Sequence, residues 1–571
     1  MHIAKYLASM ALAVLTLPGK PASAQLSCST TRQTASQPDH TAGTWEGRIS
    51  GDGQSIAFRS VSMIFVGLPA SSSNQVFHKD IASGQYRLVS RAQGPLAGAN
   101  GNSDDLTISN DGRYVAFYSL STNLDADVNG PGCFRWDSQT GEIQRADLRP
   151  DGLAPNKWGR DPAISPDGRY VAFRSTATDL VVPTLNPPHI FLRDMESNQV
   201  WRVSEAAPGI EQHGGSVSVP EVSANGDYVV YRGTATNLLG GAWIGPAVNS
   251  NVFVWERATG NVNSPTNDLG QIASGSNADE PQISDDGRYV VFTDQRDYLV
   301  PGDPGFVDVF LADLSTGTLT RVTTPPGGGG AGANCWRGML SGDGGTVVFE
   351  TTSSLFDLTG VGGYDIFAYN VGSGQFTPVD VGSDGSPDLT SASNAADVSY
   401  DGSRFIWQSP DASIAPGDTN GALDILMRSC QPTAPPIFYC TAKTSSASCI
   451  AQVATNDPLE GPASEAGDYT VVANAVQGGK NGIFFFGTFG PAAVPFLNGL
   501  LCVQPPVMRT MIQASHGTSP LTCDGSFQLI INDLQAPSNQ SPGGAIWVQA
   551  WYRDPAGDGT ALSNAVQIEF H

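Results

Sequence analysis

"ISPDGRYVAF", residues Ile164–Phe173, has close copies at "ISNDGRYVAF" (from Ile108), "VSANGDYVVY" (from Val222) and "ISDDGRYVVF" (from Ile283). Looser copies stand at "ISGDGQSIAF" (from Ile49), "LSGDGGTVVF" (from Leu340) and "VSYDGSRFIW" (from Val398), making seven. Their glycines, Gly53, Gly112, Gly168, Gly226, Gly287, Gly344 and Gly402, recur every 56 to 61 residues. Asp-Gly or Asn-Gly between alternating apolar runs signals a hairpin, and a type I′ turn there requires positive φ at both central residues. A second hairpin follows in most copies, as in "IFLRDMESNQVWRV" (from Ile190) and "VFLADLSTGTLTRV" (from Val309). Four strands per repeat, seven repeats and no helical periodicity predict an all-β chain built on a seven-bladed β-propeller. The WD40 period of about 40–45 residues, with its Gly-His and Trp-Asp signature, does not occur.

At "SPDGRYVAF" (Ser165–Phe173) the chain resembles the TolB-like, PD40-repeat propellers, whose signature is S-P-D-G-[RK]-x-[IL]-[AV]-F, with Val171 in the Ile/Leu slot. The resemblance covers residues 28–430. It departs from TolB itself, because no α/β domain precedes the repeats. It departs from the propeller-bearing serine peptidases too, because the chain has no G-x-S-x-G elbow and its last 140 residues are β-like. The resemblance implies the fold. It also implies one catalytic alternative, since another TolB-like propeller family carries oligogalacturonate lyase activity.

The N-terminus reads as an address. Lys5 precedes the apolar run Tyr6–Leu17, and "ASA" (Ala22–Ala24) offers a cleavage site, so residues 1–24 are expected to be a signal peptide and the protein periplasmic or extracellular. Twelve apolar residues are too few for a membrane span, and glycines and prolines break up Gly482–Val503, so no span is expected. Losing Lys5 and Lys20 leaves 28 of the 30 basic side chains against 54 acidic ones. That balance argues against nucleic acid and anionic membranes as partners.

Eight cysteines in an exported chain point to disulfides, and no C-x-x-C spacing suggests zinc. The seventh repeat ends at "DILMRSC" (Asp424–Cys430) without a fourth strand, whereas "STTRQTAS" (Ser29–Ser36) precedes the first repeat unpaired. Pairing the two closes the ring and removes both edges. Aligned on the repeat, Cys28 and Cys430 fall on two sides of a turn, which predicts a Cys28–Cys430 bond. Cys133 and Cys335 belong to blades that are not neighbours and are expected to be unpaired. After the linker 431–437, strand-like runs such as "DYTVVANAV" (Asp468–Val476) and "AIWVQAWYRD" (Ala545–Asp554) predict a β-sandwich over 438–571. Proximity in sequence suggests Cys440–Cys449 and Cys502–Cys523. This segment also resembles an uncharacterised C-terminal module of secreted bacterial proteins.

In an up-and-down blade the long second-to-third connections and the inter-blade connections emerge on one face. Long loops on a rigid scaffold are where binding concentrates. Residues just before each innermost strand should ring the channel mouth there: Trp45, Glu46, Asp104, Trp158, Arg160, Asp161, Glu221, Asp279, Glu280, Trp336, Arg337 and Asp397, with Asp105 and Asn394 beside them. Tryptophans among carboxylates and arginines suit a protein or glycan ligand. Asp125, Asp127 and Asn129 begin a calcium-loop pattern, and Asp418, Asn420 and Asp424 share its ending. Neither completes it, so no cofactor beyond a calcium ion is indicated. His78, His189 and His213 are the candidate bases if the chain is a lyase. With no catalytic constellation visible, the reading is a non-catalytic exported scaffold, the alternative being a carbohydrate-active enzyme with its site at the channel mouth.

Overall fold

The turn at each copy of the motif is built by two side chains. In the first, the Ser50 hydroxyl donates to Asp52 Oδ1 (2.5 Å) and accepts from the Ser55 amide (2.9 Å), while Asp52 Oδ1 also accepts from the Gln54 amide (2.9 Å). The Gly53 amide closes the turn on the Ser50 carbonyl at 2.8 Å. The same serine-aspartate staple recurs at Ser109–Asp111, Ser165–Asp167, Ser284–Asp286, Ser341–Asp343 and Ser399–Asp401. This corrects the expected turn type. In these six copies only the glycine has positive φ, because the aspartate side chain caps the following amides and holds its own backbone right-handed. Asn225–Gly226, which lacks the aspartate, has both residues at positive φ (60° and 66°).

The computed structural model describes residues 26–34, 43–92, 97–124, 130–181, 187–207, 210–212, 215–235, 237–239, 250–265, 278–296, 299–300, 305–325, 328–353, 355–356, 364–382, 393–411, 414, 422–432, 437–439, 443, 445–455, 470–487, 491–496, 499–504, 507–519, 521–531, 545–554 and 559–569. The expected signal peptide lies outside them. Among the described residues of Cys28–Cys430, one compact unit, the strands form seven four-stranded antiparallel sheets and a two-stranded hairpin, Glu205–Ala207 with Ile210–Glu211. The innermost strands are Thr44–Ile49, Ser103–Ile108, Gly159–Ile164, Val217–Val222, Asp279–Ile283, Cys335–Leu340 and Asn394–Val398. Each packs against the next and the last against the first, which closes a ring. Apolar residues of neighbouring sheets share their cores, as Ala57 and Val76 do with Phe117 and Trp136.

The last sheet takes its outermost strand from the start of the chain: Leu26–Arg32 lies beside Asp424–Pro432. The strand starts earlier than the expected Ser29, and residues 35–36 lie outside the described set. The Gln33 amide donates to the Ile425 carbonyl at 2.7 Å, and the Asp424 carboxylate accepts from Arg32 Nε and the Thr34 hydroxyl. A disulfide joins Cys28 to Cys430, with Cα atoms 4.1 Å apart. Both cysteines lie within neighbouring strands, so the bond is a cross-strand clasp rather than the turn replacement inferred from the repeat.

A second unit contains Gln431–His571. A sheet built on Asn481–Gly487, Ala545–Asp554 and Gly559–Glu569 faces a three-stranded sheet of Gln452–Thr455, Thr470–Val476 and Gly525–Ile530. Val453, Val471 and Phe527 from one meet Phe484, Ile546 and Val566 from the other in a single core, a β-sandwich. The disulfides expected here are corrected: Cys449 bonds Cys523, which excludes Cys440–Cys449 and Cys502–Cys523. The strands after Cys449 and Cys523 both run antiparallel to Thr470–Val476, so they start at the same end of the sheet, which proximity in sequence did not reveal. Cys502 is also disulfide-bonded, and Cys440 lies outside the described residues. Cys133 and Cys335 are buried free thiols. Among the described residues no helix is long and apolar enough to cross a membrane.

Candidate binding site at the channel mouth

Every innermost strand of the ring carries a β-bulge at the same place, visible as a register shift between Trp45 and Arg48, Asp104 and Thr107, Arg160 and Ala163, Ser218 and Glu221, Asp279 and Gln282, Trp336 and Met339, and Asn394 and Asp397. At each bulge one non-glycine residue is left-handed: Glu46, Asp105, Asp161, Val219, Glu280, Arg337 and Ala395, with φ between 49° and 55°. None of the seven is buried, whereas the residue after each one is. The bulge therefore turns one side chain per blade toward the channel and tucks the next into the blade. Left-handed backbone on such residues costs about 1–2 kcal/mol each, the kind of strain that concentrates at functional sites.

The cavity inside this ring has a volume of about 490 Å³ and is lined by Trp45, Glu46, Arg48, Arg59, Asp105, Val219, Glu221, Glu280, Gln282, Arg337, Met339, Asn394, Ala395, Ala396 and Gln408. Burial works against a charged Arg48, but Asp397, then Glu46, Glu221 and Glu280, reverse that and hold its guanidinium protonated. Burial pushes Glu221 up to about 7 despite Arg48 and a 3.2 Å hydrogen bond from Gln282 Nε2. Asp397 accepts the Ile49 amide at 2.9 Å. Glu280 accepts the Arg337 amide at 3.1 Å, and Arg337 reaches Glu350 at 3.8 Å. Arg59 bridges Glu46 (2.9 Å) and Asp104.

The expected site residues separate into three groups. Trp45, Glu46, Glu221, Glu280 and Arg337 line the cavity. Asp104, Arg160, Asp161, Asp279, Trp336 and Asp397 belong to the same innermost strands but meet protein partners. Arg160 lies over the Tyr118 ring (5.1 Å), Asp161 pairs with Arg174 (2.7 Å), Asp279 with Arg232 (3.5 Å), and Trp336 packs on Tyr364 (5.9 Å). Trp158 stands one position before its strand, over Gly130 and the Arg145 guanidinium, and does not line the cavity. Sequence reading missed Arg48, Arg59, Val219, Gln282, Met339, Ala395, Ala396 and Gln408. The left-handed residue is the second or third of its innermost strand and is followed by Gly, Pro, Ala or Leu, a pattern too loose to mark the bulge in advance.

Histidine chemistry finds no support in the cavity. His78 is buried against Trp136 (5.3 Å), His189 is buried beside the Ser204 hydroxyl (3.0 Å), and His213 lies outside the described residues. Of the calcium candidates, Asp125, Asp127, Asn129, Asp418 and Asn420 lie outside the described residues, and the Asp424 carboxylate is occupied by Arg32 and Thr34. Among the described residues no group of three or more His, Cys, Asp or Glu side chains is placed to hold a metal ion.

The opposite end of the channel is filled. Backbone hydrogen bonds link the turns around it, including Asn110 N–H to Pro166 O, Ala224 N–H to Asp285 O and Tyr400 N–H to Gly51 O, each 2.8–2.9 Å. Across the axis, Asn110 Nδ2 of the second blade donates to Asp285 Oδ2 of the fifth at 2.5 Å. A Cβ on Gly342 would lie 2.5 Å from Tyr400 Cδ2 and 2.9 Å from Asp285 Oδ1, so no room is left there.

No family model matches the chain, and no curated protein matches it in sequence. Among solved structures the chain is similar to a TolB protein from Agrobacterium tumefaciens, at 16% identity over 52% of this chain and 88% of that one (TM-score 0.30). It is also similar to a prolyl endopeptidase, at 11% identity over 77% of this chain and 56% of that one (TM-score 0.42). The WD40 repeats of RRP9 are a third, at 11% over 71% and 98% (TM-score 0.34). The chain thus spans little more than half of the prolyl endopeptidase. The closed ring of four-stranded sheets makes this protein a β-propeller.

Proposed function

We propose that the protein is an exported binding scaffold that holds a protein or glycan ligand at the long-loop face of its propeller. The observation that carries this reading is the funnel: a cavity lined by six of the seven left-handed residues, with Asn110 and Asp285 joined across its other end. A pocket with one mouth, lined by Trp45 and by arginines and carboxylates, suits capture of a ligand group entering from that face. Export is supported by the Cys28–Cys430 and Cys449–Cys523 disulfides, which persist in oxidising compartments.

The test is to profile the mature protein against glycan arrays, peptidoglycan fragments and peptides, with product analysis of each bound ligand. Trp45→Ala and Arg337→Ala should each weaken the ligand found by more than about 1 kcal/mol. Unchanged affinity in both folded variants would remove the funnel as the site, and released products would favour the carbohydrate-active alternative.

A further inference from the structure

The long-loop face is apolar as well as concave. Of the eight large apolar side chains exposed among the described residues of the propeller unit, Leu120, Leu153, Trp158, Ile210, Phe306, Leu355 and Tyr364 all lie on the connections between the blade strands. Only Tyr400 lies at the opposite end. Four of the seven are aliphatic, which favours an apolar polypeptide surface over sugar rings, since sugars stack on aromatic faces.

Two polar groups on this face lack hydrogen-bond partners among the described residues. The Tyr118 ring is 5% exposed and its hydroxyl has no hydrogen-bond partner among the described residues. Tyr118 stands opposite Asp104, the strand position that Arg59 and Gln408 occupy in blades 1 and 7, and both of those side chains line the cavity. Beside it Asp105, exposed to the cavity, makes no hydrogen bond or ion pair among the described residues, unlike Glu46 and Asp161 at the neighbouring bulges. Burial, then Glu46, Asp161 and Asp104, raise Asp105 to about 6, and Arg59 only partly offsets them. The surrounding carboxylates favour an incoming cation at Asp105, beside the Arg160 guanidinium that lies over the Tyr118 ring. Leu120 follows Tyr118 by two residues, and Trp158 precedes Arg160 and Asp161 on the next blade, so each of the two blades carries an exposed apolar side chain next to these strands.

We propose that Asp105 and the Tyr118 hydroxyl form a subsite for a lysine or arginine side chain of a polypeptide partner, whose apolar residues rest on Leu120 and Trp158. The inference rests on the reading of this face as the binding surface, and it names the partner's chemistry.

The full mature chain would be titrated, by fluorescence anisotropy, into labelled nonapeptides alternating Lys-Leu, Ser-Leu, Glu-Leu or Lys-Ser, with peptidoglycan fragments and chitooligosaccharides in parallel. Lys-Leu should bind at least about tenfold tighter than Glu-Leu or Ser-Leu, and more tightly than Lys-Ser. Asp105→Asn keeps a residue that tolerates the left-handed backbone and should weaken Lys-Leu by about fivefold. Trp158→Ala should weaken Lys-Leu but not Lys-Ser. Glu142→Gln removes one charge from the opposite face of the same blade and should change nothing, which separates the subsite from bulk attraction to an acidic protein. Equal loss in Asp105→Asn and Glu142→Gln, or no preference for Lys-Leu, overturns the proposal. Glycan binding without peptide binding overturns it too, yet leaves the binding face standing. No binding of any probe counts against both.

Discussion

Asn110 and Asp285 meet across the propeller axis, amide to carboxylate at 2.5 Å, and with the backbone bonds between the turns around them they close one end of the channel. Burial raises Asp285 to about 6 even though Asn110 bonds it, with Asp286 and Asp343 adding to the rise. A carboxyl whose folded pKa lies above its unfolded value stabilises most below the unfolded pKa, and that contribution is lost as pH rises through 6. Asp285→Asn retains a hydrogen-bonding group and removes the titration. Thermal melts between pH 4 and pH 8 should show the variant gaining on the wild type as pH rises, and parallel curves would refute it.

The Cys28–Cys430 bond encloses 402 residues. By the chain-entropy argument such a closure stabilises by up to about 6 kcal/mol, with native strain subtracting from it. Cys28→Ser should lower the melting temperature and expose the first strand to proteolysis before any other part of the ring. Asp424→Ala in that background should lower it further, because Arg32 and Thr34 then lose their shared carboxylate. Peptide mapping that finds Cys28 free in the mature protein would remove the clasp.

The ring was legible because its turns are built from local chemistry: a serine, an aspartate and a left-handed glycine repeat within four residues. Its closure was legible too, because an unpaired strand at each end is an energetic defect that only mutual pairing cures. The bulges were not legible. A one-residue insertion that forces Glu46, Val219 or Arg337 left-handed leaves no mark in composition, and those residue types do not ordinarily adopt that backbone. Arg48 was missed for a related reason, since it faces the cavity only because the bulge at Glu46 resets the alternation along its strand. The sandwich disulfide was missed because strand order, not chain distance, brings Cys449 to Cys523.

Tyr231 occupies the second-strand position held by Phe58, Phe117, Phe173, Phe292 and Phe349 in five other blades. It is fully buried, stacks on Phe253 at 5.6 Å, and its hydroxyl has no partner among the described residues. An orphaned buried hydroxyl costs about 1–3 kcal/mol. Tyr231→Phe should therefore stabilise the propeller by about 1 kcal/mol in urea denaturation. A loss of stability would mean that a bound water satisfies the group.

Val219 is the β-branched member of the seven left-handed residues, at φ 50°. Branching at Cβ makes that backbone especially costly. Val219→Asn should stabilise by about 1 kcal/mol, because asparagine tolerates the left-handed region. Denaturant midpoints compare the two directly. An unchanged or lower midpoint would show that the contacts of Val219 in the cavity wall outweigh its strain.

His78 gives the propeller a pH dependence of the opposite sign to Asp285. Its Nε2 lies 3.0 Å from the Gly112 carbonyl in the next blade's turn, and burial lowers its pKa to about 4, with the Gly112 hydrogen bond opposing the shift. The unfolded chain binds this proton near pH 6.5 and the folded chain only near pH 4. The stabilisation is thus complete above about 6.5 and is lost as pH falls toward 4, by about 3 kcal/mol in all. His78→Gln keeps an N–H donor for Gly112 without a titrating ring. The difference in unfolding free energy between wild type and variant should shrink in that window as pH falls. Asp285, Asp105 and Glu221, all raised, act in both proteins alike and cancel in the difference. A flat difference from pH 7 to pH 4 would mean that His78 charges freely in the folded blade, with Trp136 and the turn at Gly112 moving aside to let water reach it.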